Sequence, residues 1–226
     1  CSSCRHSRIT VGQQRLMGGM LERLRGVPAP EPVLSRERAD ALTVRQREIL
    51  DELGRIFDNG FVDVTMAELA SQLNCSLRTL YGLAEGRNEL VLMVVDRNLR
   101  SVGRAAHDAI HDDMTAIDAT RAYLGAATVA VQDTTEEFAR DMATLQAGMS
   151  LNAGHSDYLV DVTRSLLDLA VEQGEIDDVD TAAVARVIAG LGRDFARAHV
   201  IPTLRESPKK AADDMVDVVL AGLRRT

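Results

Sequence analysis

The chain has 226 residues, enough to bury one large core or two smaller ones, and it is 46% hydrophobic and 27% charged, as globular proteins are. No apolar run approaches the ~20 residues that a membrane-spanning helix needs, so no membrane partner is expected. The formal net charge of -8 excludes a protein that binds polyanions through an overall basic surface.

The first 35 residues are predicted to form a flexible arm, because they are rich in arginine and contain the stretch VPAPEP. The opening residues CSSCRHSRIT lack the apolar stretch of a signal peptide, which favours a cytoplasmic protein. Cys1, Cys4 and His6 are too few ligands for a zinc site, so a disordered end is the better interpretation. Met17 and Met20 are alternative translation starts, which leaves open whether the whole arm is native.

Helical periodicity begins at Ala41 and continues to Phe57 in apolar residues spaced three and four apart. The sequence DNG at residues 58–60 ends this helix, because glycine readily takes the left-handed conformation at a helix C-terminus. Strand-like alternation is hard to find in the rest of the chain, and proline is rare after residue 32. The prediction is an all-α protein.

A short second helix is predicted to begin at Thr65, where Thr65 as N-cap and Glu68 three residues later form a capping box. The turn NCS ends it, and Ser76 caps a third helix that runs to Leu83. Two short helices joined by a turn of about three residues, braced by a longer helix before them, form a helix-turn-helix. The same spacing also fits an ordinary helical hairpin in an all-α core.

Beyond Gly86 the pattern predicts a long helix to residue 113 and then helices over 115–131, 134–150, 156–173, 181–200 and 207–224. Thr134 with Glu137 predicts another capping box. Ser207 followed by Pro208 opens the last helix, because proline fits the first helical position. The second half of the chain is therefore predicted to be helical throughout.

The stretch TMAELASQLNCSLRTLYGLAEGRNEL at residues 65–90 resembles the tetracycline-repressor-like (TetR) family of transcriptional regulators. The matching positions are Thr65, Leu69, Ala70, Ser76, Thr79, Leu80, Tyr81, Arg87 and Leu90, and ILDELGRIFDNGF is similar to the family's first helix. Leu83-Ala84 replaces the family's His-Phe, so packing between the third and fourth helices is expected to differ. The resemblance implies a helix-turn-helix DNA-binding domain over 36–86 and a helical effector-binding and dimerisation domain over 87–226.

For DNA binding, the resemblance implies phosphate contacts from Thr65, Tyr81 and Arg87. Arg78 is expected on the exposed face of the recognition helix, where a guanidinium can contact guanine O6 and N7 together. A solvated surface arginine and a phosphate contact are the alternatives for Arg78. The remaining candidates are Ser76, Leu77 and Thr79 on the same helix, and Arg45 and Arg47 from a basic cluster at the start of the first helix.

The acidity of the chain lies mostly outside the predicted DNA-binding region. By count, residues 1–35 carry +3, residues 36–90 carry -3 and residues 91–226 carry -8. Because the local placement of charge decides binding, the total does not oppose it. The acidic C-terminal part is expected to suppress non-specific DNA association, which is mostly electrostatic.

The resemblance further implies a homodimer and a ligand pocket between the middle helices, so the expected partners are double-stranded DNA, an unknown small-molecule effector and a second copy. The dimer is expected on two apolar stripes, which fit packing within one chain as well: Val184, Val187, Ile188, Leu191 and Phe195, then Met215, Val219 and Leu223. The candidate pocket residues, each also a candidate for plain core, are Met93, Met114, Tyr123, Phe138, Met142, Met149 and Tyr158.

Neither an enzyme nor a cofactor or metal site is predicted. The chain has no Ser-His-Asp or Cys-His arrangement and no phosphate-binding glycine loop. His107 and His111 lie one helical turn apart among aspartates and fit a metal site with His155, but such polar pairs are routine on exposed helices. Two hypotheses remain: a repressor that a small molecule releases from a palindromic operator, and a DNA-binding protein of the same fold controlled by a protein partner or by abundance.

Overall fold

The computed structural model of the protein describes residues 19–111, 113–129, 135–197 and 199–224. The regular secondary structure of these residues is helical apart from one isolated bridge between Ile176 and Arg224, so the predicted all-α class is confirmed. After a helical segment at 19–25, the helices are α1 (Arg36–Ala41), α2 (Val44–Phe57), α3 (Met66–Gln72), α4 (Leu77–Leu83), α5 (Arg87–Asp108), α6 (Ala116–Val129), α7 (Glu136–Met142), α8 (Gln146–Glu172), α9 (Thr181–Phe195) and α10 (Pro208–Leu223). No helix in the described ranges is long and apolar enough to cross a membrane.

Side-chain caps set where the first helices begin. The Thr65 hydroxyl accepts from the Glu68 N–H at 3.3 Å, and the Glu68 carboxylate accepts from the Thr65 N–H at 2.8 Å, so the predicted capping box is present. Thr43 and Gln46 form another capping box ahead of α2. Because that box fixes the first turn, α2 begins after the predicted start at Ala41.

Three helices of the second half have clearly different bounds from the prediction. Instead of helices over 134–150 and 156–173, the structure has the short α7 and an α8 that runs unbroken over 27 residues. The N-cap of α7 is Thr135, and the predicted cap Thr134 lies outside the described residues. The break falls at residues 143–145, because the Thr144 hydroxyl donates to the Asp141 carbonyl at 2.7 Å and closes α7 there. Likewise α9 ends at Phe195 rather than near residue 200.

The buried apolar residues form two clusters. The first core gathers α2, α3, α4 and the first half of α5, including Leu53, Phe57, Leu69 and Leu80. The second core gathers α6, α8, α9, α10 and the end of α5, including Tyr123, Leu166, Ile188 and Leu220. The first core also extends past residue 86, since residues 90, 91 and 93–95 belong to it and Phe138 and Met142 pack on it.

Residues 19–35 differ from the predicted flexible arm. Met20 and Leu24 are 4% and 3% exposed in the second core, and Arg23 pairs with Glu172 of α8 at 2.6 Å. The prediction is therefore wrong for this segment, while residues 1–18 lie outside the described residues. The physical reason is that a short helical segment finds its partner surface on distant helices, which composition does not reveal.

A buried carboxylate on α5 ties this segment to the rest of the chain. Asp96 is 4% exposed and accepts from the Val33 N–H at 3.0 Å, the Arg100 Nε–H at 2.9 Å and His155 Nε2 at 3.0 Å. Burial raises the pKa of Asp96, but these three partners outweigh burial and hold the pKa below its ordinary value. The N-terminal segment, α5 and α8 therefore meet at one charged group.

Candidate nucleic-acid interface

The chain reverses between α3 and α4 in the tight turn that NCS predicts. Asn74 takes φ 48°, a left-handed conformation that asparagine tolerates. The Cys75 N–H donates to the Ala70 carbonyl at 3.0 Å, which closes the C-terminus of α3. The Ser76 hydroxyl then accepts from the Thr79 N–H at 3.1 Å and caps α4. The predicted helix-turn-helix is thus present.

The short helix α4 has one buried face and one exposed face. Leu80 and Leu83 are 0% and 2% exposed and anchor it in the first core. On the other side Leu77 and Tyr81 are 43% and 55% exposed, and Arg78 between them is exposed as well. An apolar, a cationic and an aromatic side chain therefore share an outward face whose helix is fixed from behind.

The side chain of Arg78 is uncommitted. It forms no hydrogen bond and no ion pair with any residue in the described part of the chain. Arg47, in contrast, donates to the Asp40 carbonyl at 3.3 Å. The guanidinium of Arg78 is therefore available to a partner without breaking an existing contact.

Arg45 is committed to the fold. Its guanidinium donates to the Leu73 carbonyl at 2.7 Å, where α3 ends, and to the carboxylates of Glu48 at 3.2 Å and Glu52 at 3.0 Å. The hydrogen bonds to Glu48 and then to Glu52 raise the pKa of Arg45. This arginine supplies a donor to a helix C-terminus, whose last carbonyls have no partner within the helix.

Two further arginines contact backbone carbonyls in the same way. Arg87 Nη1 donates to the Val62 carbonyl and, at 3.3 Å, to the Val64 carbonyl just before α3. Arg38 donates to the Leu83 carbonyl at 3.0 Å, at the end of α4. Arg38 is not among the predicted site residues, because the carbonyl it contacts lies 45 residues away in the chain.

Three hydroxyl groups that were predicted to contact DNA take part in helix caps. The Thr65 hydroxyl donates to the Glu68 carboxylate at 2.8 Å, and the Ser76 and Thr79 hydroxyl oxygens lie 2.9 Å apart. Hydrogen bonds from the Thr65 backbone and side chain lower the pKa of Glu68, which stays ionised at the start of α3. Contacts from Thr65, Ser76 and Thr79 to DNA stay predictions.

The seven candidate pocket residues lie in different places. Three belong to the first core or pack on it: Met93, Phe138 and Met142. Three belong to the second core or pack on it: Tyr123, Met114 and Tyr158. The seventh, Met149, is 43% exposed on α8. An open groove of about 420 Å³ between α2 and α3 is lined by other residues, among them Arg55, Asn59 and Gln72.

A polar contact lies within the second core. His107 Nε2 is 2.9 Å from the Tyr158 hydroxyl, and the His107 ring packs edge-on against Tyr123 with the ring centroids 5.4 Å apart. Burial lowers the pKa of His107 and raises that of Tyr123. His107 and His155 contact different groups, since His155 pairs with Asp96, and no group of three His, Cys, Asp or Glu ligands that could hold a metal ion occurs in the described ranges.

The predicted dimer stripes are partly exposed. Val187 on α9 is 59% exposed and Met215 on α10 is 41% exposed, and the unpredicted Val218 beside them is 65% exposed. Ile188 is 2% exposed and belongs to the second core, so packing within the chain accounts for it. The other predicted residues are half-buried: Val184, Leu191, Phe195, Val219 and Leu223.

Comparison with known proteins identifies the fold. No family model and no curated protein matches this chain. Solved structures do. The TetR-family transcriptional regulator PfmR from Thermus thermophilus is 21% identical, with a TM-score of 0.58 over 78% of this chain and 99% of that one. A TetR-family regulatory protein from Rhodococcus RHA1 is 19% identical (TM-score 0.62; 82% and 100% covered). A TetR transcription regulator from Haloarcula marismortui is 16% identical (TM-score 0.63; 80% and 98% covered).

Proposed function

We propose that this chain, which has the fold of the TetR-family transcriptional regulators, is a sequence-specific DNA-binding regulator that acts in the cytoplasm. One feature supports this above all others, the exposed face of α4 with its uncommitted Arg78. A helix held from behind by Leu80 and Leu83 is rigid enough to present side chains to the major groove. In this proposal α4 is the recognition helix of a DNA-binding head (36–86), and residues from 87 onward form the body.

The side chains of α4 fit the chemistry of base and phosphate contacts. Arg78 carries a planar donor group that matches guanine O6 and N7, and Leu77 beside it is suited to a thymine methyl group. Tyr81 places a hydroxyl where a phosphate oxygen can accept from it. Because Arg45, Arg87 and Arg38 donate to carbonyls of the head, few free cations remain for phosphate among the described residues near α4.

The first experiment measures DNA binding by the wild-type chain. The protein is titrated into a labelled duplex with the sequence that flanks its own gene, and into a random duplex of equal length, at ~50 and ~150 mM salt. We expect tighter binding to the flanking duplex than to the random one. Binding to the random duplex is expected to be weak, because the acidic body adds no phosphate contacts, and to fall as salt rises, because non-specific binding is mostly electrostatic. Equal affinity for both duplexes at the higher salt would count against the proposal. If fragments selected from genomic DNA also bind no more tightly than random DNA, the proposal is contradicted.

We further propose that the regulator is a homodimer on a palindromic operator. The exposed apolar side chains of Val187, Met215 and Val218 on two adjacent helices support a contact with a second copy. Val187→Glu with Val218→Glu is expected to give monomers in light scattering and to weaken operator binding. Val129→Glu, at a residue that is 50% exposed on α6, is the matched control and is expected to stay dimeric.

For control of the regulator, the first candidate is release from the operator by a small molecule that favours one spacing of the two heads. The second candidate is control by a protein partner or by abundance, and one observation favours it. The candidate pocket residues are divided between two cores and one exposed position rather than gathered around one space. A compound screen with operator release as readout separates the two, since effector control requires at least one compound that releases the DNA.

A further inference from the structure

Helix α7 belongs to the body by chain order but packs on the head. Phe138 packs edge-on against Phe61, with ring centroids 5.9 Å apart, and Phe61 packs in the same way on Phe57. Met142, one turn further along α7, also packs on the first core. The core of the head is thus completed by a helix that follows the recognition helix by more than fifty residues.

A carboxylate at the end of α7 holds the loop between α2 and α3. Asp141 is 7% exposed, and its Oδ2 accepts from the Phe61 N–H at 2.6 Å and from the Val62 N–H at 3.0 Å. These N–H groups follow the end of α2 and have no helical partner. A carboxylate that accepts two backbone N–H groups forms strong, charge-assisted hydrogen bonds.

Gly60 makes this approach possible. Its φ is +91°, which favours glycine, and a Cβ there would lie 2.9 Å from Asp141 Oδ2. The Thr135 hydroxyl at the other end of α7 donates to the Asp58 carbonyl in the same loop. Both ends of α7 therefore contact the segment that joins α2 to α3.

The loop held by Asp141 leads directly into the proposed DNA contacts. Asp141 holds the N–H of Val62 on one side, and Arg87 holds the carbonyls of Val62 and Val64 on the other. The next residue, Thr65, caps α3. Asp141 is thus connected to Thr65 and to the start of α3 through residues 61–64.

We propose that Asp141 is a positioning residue for DNA binding, which fixes residues 61–64 and thereby places Thr65 and α3 against the DNA backbone. This inference rests on the proposed function. It gives Asp141, a residue of the body that does not face the DNA, a role in the DNA affinity of the head.

The chain offers a matched control in the body. The Glu175 carboxylate accepts from the Ala116 and Ile117 N–H groups, both at 3.0 Å, in the same manner as Asp141 but at the start of α6. Glu175→Gln changes the charge by the same amount and weakens the same kind of contact far from the head. Amides 116 and 117 also serve as an internal reference for the Asp141 variants.

The experiment compares wild type, Asp141→Asn, Asp141→Ala and Glu175→Gln by amide hydrogen exchange and by titration of a duplex selected with the wild-type protein. In Asp141→Asn, amides 61 and 62 are expected to exchange faster while amides 116 and 117 do not change. Affinity is expected to fall by about tenfold although a negative charge is removed, since a charge-assisted hydrogen bond is weakened. The slope of log K against log salt is expected to fall by about 0.9, the value of one phosphate contact.

Asp141→Ala is expected to show larger changes, and if it does not fold, Asp141→Asn alone decides. Faster exchange at 61 and 62 with unchanged affinity and salt slope would overturn the positioning role, as would unchanged exchange. So would an equal loss of affinity in Glu175→Gln. A wild-type protein that selects no duplex overturns the proposed function itself, which distinguishes that failure from a failure at Asp141.

Discussion

The exposed face of α4 and the base of the head, whose carbonyls Arg45, Arg87 and Arg38 contact, differ in how arginine side chains are used there. Arg78 on α4 has no partner in the described residues, whereas the three arginines at the base each donate to a carbonyl at a helix end or loop. A guanidinium has five N–H donors and satisfies either role. Its surroundings therefore decide whether an arginine holds the fold or keeps its donors for a partner, which we propose to be DNA at Arg78.

The largest effect is expected at the exposed face. Arg78→Ala removes the proposed base contact, and loss of a bidentate guanine contact weakens specific binding by about 1–3 kcal/mol, or roughly 5- to 150-fold. The melting temperature is expected to stay unchanged, because the side chain has no polar partner in the described chain. Fluorescence anisotropy and thermal melting check the two parts.

The control for Arg78 is Arg55→Ala. Arg55 is exposed on α2 in the same head, and its side chain forms no hydrogen bond or ion pair with the residues that the structure describes. Both variants lose one positive charge, so a general electrostatic effect would be equal in the two. Equal losses would contradict a base contact by Arg78.

At the base of the head, the prediction for Arg45→Ala is the reverse. The Leu73 carbonyl loses its donor, and Glu48 and Glu52 lose the cation between them. We expect a lower melting temperature and operator binding weakened several-fold through the head's stability. Unchanged melting together with weakened binding would instead identify Arg45 as a direct DNA contact.

Arg87→Lys tests the same contrast with the charge retained. A lysine keeps the cation but does not reproduce the paired contact with the Val62 and Val64 carbonyls. If Arg87 acts at the base of the head, amide exchange at residues 61–64 rises and binding weakens a few-fold. Wild-type exchange with wild-type affinity would favour the phosphate contact that the resemblance implies.

Substitutions of Thr65 test its role in helix capping alongside its predicted contact with DNA. Thr65→Ala removes the N-cap of α3 and is expected to cost about 1 kcal/mol of the free energy of unfolding. Thr65→Ser keeps the hydroxyl and is expected to restore both stability and binding. Chemical denaturation and anisotropy on the two variants measure these changes, and a stable Thr65→Ala protein would contradict the capping role.

The smallest effect is a difference in pH response between head and body. Burial holds the pKa of His107 below its ordinary value of 6.5, so the folded body favours the neutral imidazole. The stability from neutral His107 is complete above pH 6.5 and is lost as the pH falls toward the lowered pKa of the folded state. Amide exchange between pH ~7.5 and ~5.5 is expected to show lower protection of the second core at the acid end in wild type, and less so in His107→Gln.

The local features of this fold were predictable because their causes are local. The capping box of Thr65 and Glu68, the NCS turn and the buried positions of Leu69 and Leu80 depend on residues within about four positions of each other. The outward position of Arg78 follows from the same helical period. The helix-turn-helix and the exposed face of α4 were therefore predictable from the amino-acid sequence.

The class of fold, the helix-turn-helix and the outward face of α4 thus follow from the amino-acid sequence. Long-range packing, in contrast, sets which arginines are engaged, places residues 19–25 in the second core, and brings Asp141 to a loop 80 residues away in the chain. The difference lies in how far along the chain each kind of interaction acts. Caps and periodicity act over one or two helical turns, whereas the partner of a guanidinium or a carboxylate is whichever group the folded chain brings within about 3 Å.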